Sequence, residues 1–253
     1  MKKMKIKNKL YLILLSCILV LTFANCAYRS GRSHSSESKQ GKERVSSSEN
    51  TAERIVRIRK DNKERGRYNS KKLDGAEIFK RYSSAVFMVY TANDFQGYQG
   101  SGFFIDDEGL AVSNYHVFKG TNIGYEKIKV GDEILKVIDV ICFSEYEDYI
   151  LFRINCSGNN FFPIAKNKPT IGEKVYAIGS PRGFENTISE GIISQWQEDN
   201  LMQISVPIDH GSSGGALINE YGEVVGITSG TFYEGSQANL NYAWSIDVVK
   251  SHL

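Results

Sequence analysis

Asp209-His210-Gly211-Ser212-Ser213-Gly214-Gly215 separates a strand-like apolar run at 202–208 from a second one at 216–219. Three glycines and two serines among seven residues cannot pack a core. They give a backbone that turns sharply and leaves its N–H groups unpaired and aimed at one spot. A serine held in such a turn has an exposed hydroxyl. The amides of Gly211 and Ser213 are then placed to donate to an oxygen that becomes negative, as acyl transfer through a tetrahedral intermediate requires. A glycine-rich turn without chemistry fits the heptapeptide equally well. Residues upstream separate the two readings.

Val112-Ser113-Asn114-Tyr115-His116-Val117-Phe118 ends a strand with a histidine, and the chain has three others, His34, His210 and His252. A lone histidine there is usually structural. Glu147-Asp148-Tyr149-Ile150-Leu151-Phe152 places an aspartate at the mouth of an almost fully apolar strand, where a turn role is the ordinary one. The set changes both readings. His116, Asp148 and Ser213, in that chain order and each where a loop meets a buried strand, are the parts of a charge-relay site. His210 shares the tight turn with Ser213, is poorly placed to take its proton, and is expected to contact substrate instead.

Around these residues run short β-rich segments punctuated by Gly, Asn and Asp, at 86–91, 102–105, 110–113, 127–130, 133–143 and 149–154. A second group follows at 174–179, 187–195, 202–208, 222–230 and 241–245. This spacing predicts an all-β barrel or sandwich rather than βαβ units. Hairpin turns are expected at 106–109 and 219–222, and helix only at 75–82 and 246–252. Eleven or twelve strands divide naturally into two six-stranded antiparallel barrels. Cys142 and Cys156 flank the loop at 144–147; a hairpin there would set Cys142 opposite about residue 149, so the two thiols are read as buried small hydrophobes rather than a disulfide.

Four stretches carry a family resemblance. Gly100-Ser101-Gly102-Phe103-Phe104-Ile105 followed by Ser113-Asn114-Tyr115-His116-Val117 resembles the histidine region of trypsin-like serine proteases of the HtrA/Deg type. The run from Asp148 to Ile154 is similar to that family's aspartate motif. Gly172 to Pro181 resembles the strand opening its second barrel, and Gly211-Ser212-Ser213-Gly214-Gly215-Ala216-Leu217 stands where its serine motif lies. The resemblance implies a trypsin-like fold, with the triad between two β-barrels and a short closing helix. It implies Ser213 as nucleophile, His116 as base, Asp148 as the group orienting the imidazole, and the Gly211 and Ser213 amides as oxyanion hole. By the same alignment, Ile208, Thr228, Ser229 and Gly230 line the primary substrate pocket; an aliphatic floor without a carboxylate suits a small or medium apolar residue. No metal or cofactor follows from it.

The sequence departs from the family at Ala216 (usually Pro), Ser212 (Asn or Asp) and His210 (Pro). No PDZ domain follows the barrel in this sequence. Phe79 and Tyr82 correspond in place to aromatics that build trimers in relatives, though on a short helix they read as core; an oligomer is not indicated.

The front of the chain is different material. Residues 1–26 hold five lysines and no acid, then an apolar run at 10–24, the pattern of an export signal. Phe23-Ala24-Asn25-Cys26 resembles the lipobox of bacterial lipoproteins, which implies lipidation at Cys26; simple cleavage after Ala24, processing at Cys17 and an uncleaved anchor are the alternatives. Residues 27–75 carry 14 Lys and Arg against 7 Asp and Glu, and are expected to be a largely disordered tether; residues 76–253, the protease-like domain, carry 12 against 22. An acidic domain behind an export signal excludes nucleic acid as a partner class and points to the bacterial cell envelope, facing the periplasm or the exterior. The function expected is an exported serine endopeptidase acting on proteins or peptides. The alternative is a catalytically silent surface binding protein on a protease fold, for which an intact triad has no physical use. An esterase is disfavoured, because Gly-Ser-Ser-Gly-Gly lacks the spacing of a strand-to-helix nucleophile elbow.

Overall fold

The computed structural model describes residues 71–94, 96–121, 125–183, 186–231 and 241–253. Helix α1 (Gly75–Tyr82) opens on a capping box: the Glu77 amide donates to Asp74 Oδ1 at 2.8 Å, and the Asp74 amide donates back to the Glu77 carboxylate. Its buried face is Ile78 and Tyr82. Tyr82 stacks on Phe162 at 5.1 Å and Phe79 packs partly buried against the same core, so both aromatics serve the interior of this chain.

Strands β1 (Val86–Ala92), β2 (Gly97–Phe104), β3 (Leu110–Ser113), β4 (Lys127–Val130), β5 (Glu133–Leu135), β6 (Val137–Ser144) and β7 (Tyr149–Ile154) form one antiparallel sheet, ordered β5-β4-β1-β2-β3-β7-β6. The one-turn helix α2 (Tyr115–Phe118) follows β3. Strands β8 (Lys174–Gly179), β9 (Thr187–Trp196), β10 (Leu201–Ile204), β11 (Ala216–Asn219), β12 (Val224–Thr231) and β13 (Asn241–Ser245) close into a six-stranded barrel, and α3 (Asp247–Lys250) ends the chain's regular structure. The fold is thus all-β and trypsin-like, but only its second half is a closed six-stranded barrel. In the first half the expected strand 133–143 breaks at Lys136. Among the described residues β5 pairs only with β4 and β6 only with β7, and the register slips twice along β6. The two end strands of the sheet therefore follow one another in the chain without a ladder between them.

Three cores result, and the period-2 alternation of strands explains them. Val175 and Ala177 of β8 and Leu217 of β11 fill the barrel interior, while Tyr176, Ile178, Ala216 and Ile218 face the other way. On β7, Ile150 and Phe152 enter the curved sheet, and Tyr149 and Leu151 face outward. The outward sets meet in one further cluster, joined by Ile78, Tyr82 and Val249. Strands buried on both faces read as continuous apolar runs, which is why 149–152 shows no alternation. Each fully buried Leu, Ile or Phe contributes about 1.5–3 kcal/mol. Cys142 lies opposite Leu151, two residues beyond the expected partner because the ladder closes at Ser144 opposite Tyr149, and both Cys142 and Cys156 are free. Burial pushes the Cys156 thiol up to about 11, so it stays protonated and unreactive at neutral pH.

Candidate active site

His116 lies on α2, one turn past β3, rather than on the strand end itself. Asn114 caps that turn with extended backbone and sends its Nδ2 to the Asp148 carbonyl at 2.7 Å. This bond ties the helix to the β6–β7 turn, where Asp148 has φ of 47°, a left-handed conformation that aspartate tolerates better than most residues. The carboxylate is held by three donors. The His116 amide reaches Oδ1 at 2.9 Å; His116 Nδ1 and Ser229 Oγ both reach Oδ2 at 2.7 Å. With the ionised carboxylate as acceptor, His116 carries its proton on Nδ1, which leaves Nε2 as the basic nitrogen. No hydrogen bond joins Ser213 Oγ to His116 among the described residues, a contact that commonly tightens only when substrate arrives.

Ser213 sits in the turn between β10 and β11. Its neighbours bond inward: the Ser212 amide to Asp209 O at 2.9 Å, Gly214 to Thr228 O at 2.8 Å and Gly215 to Ser212 O at 3.0 Å. Ser101 of β2 holds the turn from the other side. Its amide donates to Ser213 O at 2.8 Å, its Oγ donates to Gly211 O at 2.7 Å, and that Oγ accepts from the Ser180 amide. The amides of Gly211 and Ser213 have no partner among the described residues. The peptide before Gly211 is oriented by Arg182, whose amide donates to His210 O at 2.7 Å. In a trans peptide the N–H points opposite to the C=O, so this bond turns the Gly211 N–H away from Arg182. Two unpaired donors beside one serine hydroxyl are what a developing oxyanion needs. The Arg182 side chain pairs with Asp209 at 2.6 Å; the His210 amide first, and then Arg182, hold the Asp209 carboxyl below its ordinary range.

The close fit of this turn makes a testable demand on Gly214. It has φ of 85°, and a Cβ there would lie 2.2 Å from Ser101 O and 2.4 Å from Ser113 Oγ. Gly120 has a similar φ of 78° with nothing among the described residues within 4 Å. Gly214→Ala should therefore cost about 3 kcal/mol or more against about 1 kcal/mol for Gly120→Ala, since only the former adds overpacking to backbone strain. Urea midpoints of the two variants check this; equal shifts would show that Ser101 and Ser113 yield freely.

The residues expected to bind substrate divide between two cavities. Ser229 joins His116, Asp148, Tyr115, Lys119, Glu145, Tyr146 and Trp244 around a space of about 330 Å³. Ile208 and Thr228 instead share one of about 350 Å³ with Ala177, Ile178, Thr187, Ser189 and Ser212. That second cavity also touches Asp209, so the expectation of a pocket free of carboxylate is corrected, although Arg182 already neutralises the group. His210 and Gly230 line neither; Gly230 lies close to the Ser213 hydroxyl, since a Cβ on it would stand 3.5 Å from Ser213 Oγ. Sequence reasoning missed the work of Ser101, of Arg182 and of Ser229 as the third donor to Asp148. Only the first left a signal: a small residue between two glycines in a strand marks close backbone approach. No group of His, Cys, Asp and Glu suited to a metal ion occurs among the described residues.

A curved sheet against a β-barrel, with an Asp-held histidine facing a Gly-rich serine turn, defines the trypsin-like class of hydrolase folds. Residues 100–227 match the model of the trypsin-like peptidase domain, and the chain belongs to that family. It is 30% identical over 163 residues to "Protease Do-like 1, chloroplastic" of Arabidopsis thaliana, covering 59% of this chain and 36% of that one. It is 34% identical over 175 residues to "Probable periplasmic serine endoprotease DegP-like" of a Marinomonas strain, covering 64% of this chain and 36% of the relative. The crystal structure of the serine endoprotease from Yersinia pestis superposes with a TM-score of 0.64 at 26% identity, over 72% of this chain and 66% of that one. The HtrA/Deg resemblance thus stands. The chain spans little more than a third of the length of these two curated relatives.

Proposed function

We propose that the chain is an exported serine endopeptidase. Ser213 Oγ attacks the scissile carbonyl carbon while its proton passes to His116 Nε2. Asp148, accepting from Nδ1, stabilises the imidazolium that forms. The carbonyl oxygen, now negative, accepts from the Gly211 and Ser213 amides, each worth roughly 3–4 kcal/mol in such sites. The imidazolium then protonates the leaving amine and the C–N bond breaks, giving an acyl-enzyme. Water, deprotonated by His116, releases the acid and restores Ser213. The observation that carries this reading is the thrice-held Asp148 gripping His116 at 2.7 Å, together with a serine whose own amide and that of Gly211 have no partner among the described residues. The cavity walled by Ala177, Ile178, Ile208 and Thr228 suits a small or medium apolar residue before the scissile bond. The test is covalent labelling of the full chain by a fluorophosphonate, with cleavage of a diverse peptide library. A folded chain that does neither would defeat the proposal.

The same reading places the enzyme in the cell envelope, supported by the basic head and apolar run of residues 1–26 and by the word "periplasmic" in the Marinomonas relative's name. Those residues and the tether up to residue 70 lie outside the described part, and no described helix is long and apolar enough to cross a membrane. Lipidated Cys26 is then the anchor. Cys26→Ser should move the protein from the membrane to the soluble fraction or stall it as a precursor. Membrane retention after signal cleavage would assign anchoring to the basic tether instead, and the intact mass of the mature N-terminus would distinguish Cys17, Ala24 and Cys26 processing.

A further inference from the structure

We infer that the outer face of β6 is a docking surface for the substrate chain, taking an extended apolar stretch that lies several residues away from the scissile bond. The inference rests on the peptidase reading and concerns how that peptidase holds a long polypeptide. Exposed large apolar residues gather on this part of the chain. Ile134 on β5 and Ile138, Val140, Ile141 and Phe143 on β6 are 41–58% exposed. Single apolar residues scattered over a surface are ordinary, whereas a contiguous run of them marks a contact site.

The two register slips produce this run. They fall between Val137 and Asp139 and between Val140 and Cys142, so Ile138 and Ile141 are the residues left without an opposite number on β7. A strand with one buried face alternates, but residues 138 to 141 are all exposed, as bulges allow. On its other side β6 has no strand partner among the described residues. The surface also has a direction. β6 covers about 25 Å at about 3.3 Å per residue. At its C-terminal end Phe143 stacks on Tyr115 at 4.9 Å and 12°. Tyr115 lines the same cavity as His116 and Asp148, together with Glu145 and Tyr146 from the turn that follows β6. The apolar stripe is therefore continuous with the cleft in which a substrate must lie. A chain leaving that cleft along β6 meets Phe143 first and Ile138 last.

Continuity with the cleft selects the substrate over other occupants, and two alternatives fit poorly. A second copy pairing β6 with β6 would need a regular ladder, which the bulges interrupt. An anionic membrane would be met by exposed Asp139 within the stripe and exposed Glu133 beside it, on a domain with 12 basic against 22 acidic residues. An extended polypeptide needs neither a ladder nor a positive surface. It is also held already at the scissile bond, so its flank reaches β6 at high effective concentration. The stripe is remote from the reacting atoms and contributes equally before and during the reaction, so the gain should appear in KM and not in kcat.

The test uses the full chain and peptides that share the same three residues on each side of the scissile bond. Each is extended on one side by about eight residues, enough to span β6, with either Leu and Ser in alternation or Gly and Ser alone. On one side the apolar extension should lower KM about tenfold relative to the Gly and Ser extension, with kcat changed by less than about twofold. Ile138→Lys combined with Ile141→Lys should reduce that advantage to about twofold or less, and Ile138→Ser with Ile141→Ser should do so without added charge. Kinetics on the unextended peptide should stay the same in both double variants, which also shows that they fold. Equal KM for the two extensions, or an advantage that survives both double variants, overturns the docking surface while leaving the peptidase standing. So does a substitution that dissociates a dimer, or releases the chain from phosphatidylglycerol vesicles, with KM for the extended peptides unchanged. A folded wild-type chain that cleaves none of the peptides overturns both.

Discussion

Ser213→Ala should abolish fluorophosphonate labelling and lower the peptidase rate by about 10⁴–10⁶, with the fold unchanged. The fold is spared because the turn is held through the backbone of residue 213, not its side chain: Ser101 donates to the Ser213 carbonyl, and the hydroxyl has no partner among the described residues. A residual rate of about 10³–10⁴ over water should persist, because the Gly211 and Ser213 amides remain in place to polarise the carbonyl. Labelling and single-turnover peptide cleavage on the full chain measure both quantities. Ser212 is the informative neighbour. It is 8% exposed and its carbonyl accepts from the Gly215 amide and Thr228 Oγ1, so its backbone is committed to the turn. A Ser213→Ala chain that still labels, at Ser212 or elsewhere in the site, would sink the assignment of the nucleophile.

What could be read beforehand follows from the range over which each feature is determined. The site residues lie in short stretches whose composition is self-explanatory: a Gly-rich turn at 211–215, and a carboxylate beginning the apolar strand β7. Strands buried on both faces announced themselves as unbroken apolar runs, as at 175–178 and 216–218. The features that escaped depend on partners distant in the chain. The break at Lys136 arises because β5 and β6 pair with different neighbours, a choice no property of residues 133–143 records. The helical turn at 115–118 is four residues long and contains a β-branched valine and two aromatics, which propensity alone would not make helical. The clamp from Ser229 to Asp148 spans 81 positions, and the bond from Arg182 to His210 that orients the Gly211 amide runs through the backbone, where side-chain identity leaves no trace.

Asp148→Asn should be nearly as damaging as loss of the nucleophile, at about 10⁴ in kcat near neutral pH, despite keeping size and shape. Asp148 presents two acceptor oxygens to three donors: the His116 amide on Oδ1, and His116 Nδ1 with Ser229 Oγ on Oδ2. Asparagine offers one acceptor and one NH₂ donor. If its oxygen keeps the His116 amide, its NH₂ faces Nδ1, which must then accept; the ring proton moves to Nε2, and the nitrogen meant to take the serine proton already carries one. If it flips, two donors meet at the backbone amide and the grip on α2 is weakened. Either outcome costs the base. Ser229→Ala removes only one of the three donors and leaves the tautomer alone, so it should lower kcat by no more than about tenfold, of the order of one hydrogen bond to a charged group. Neither variant changes the cavity beside Ile208, so the comparison is drawn on kcat. The measurement is kcat against pH for both. A loss of less than tenfold in Asp148→Asn would mean that the carboxylate does not set the tautomer, and equal losses in the two variants would make Asp148 a structural anchor for α2 rather than a partner of the base.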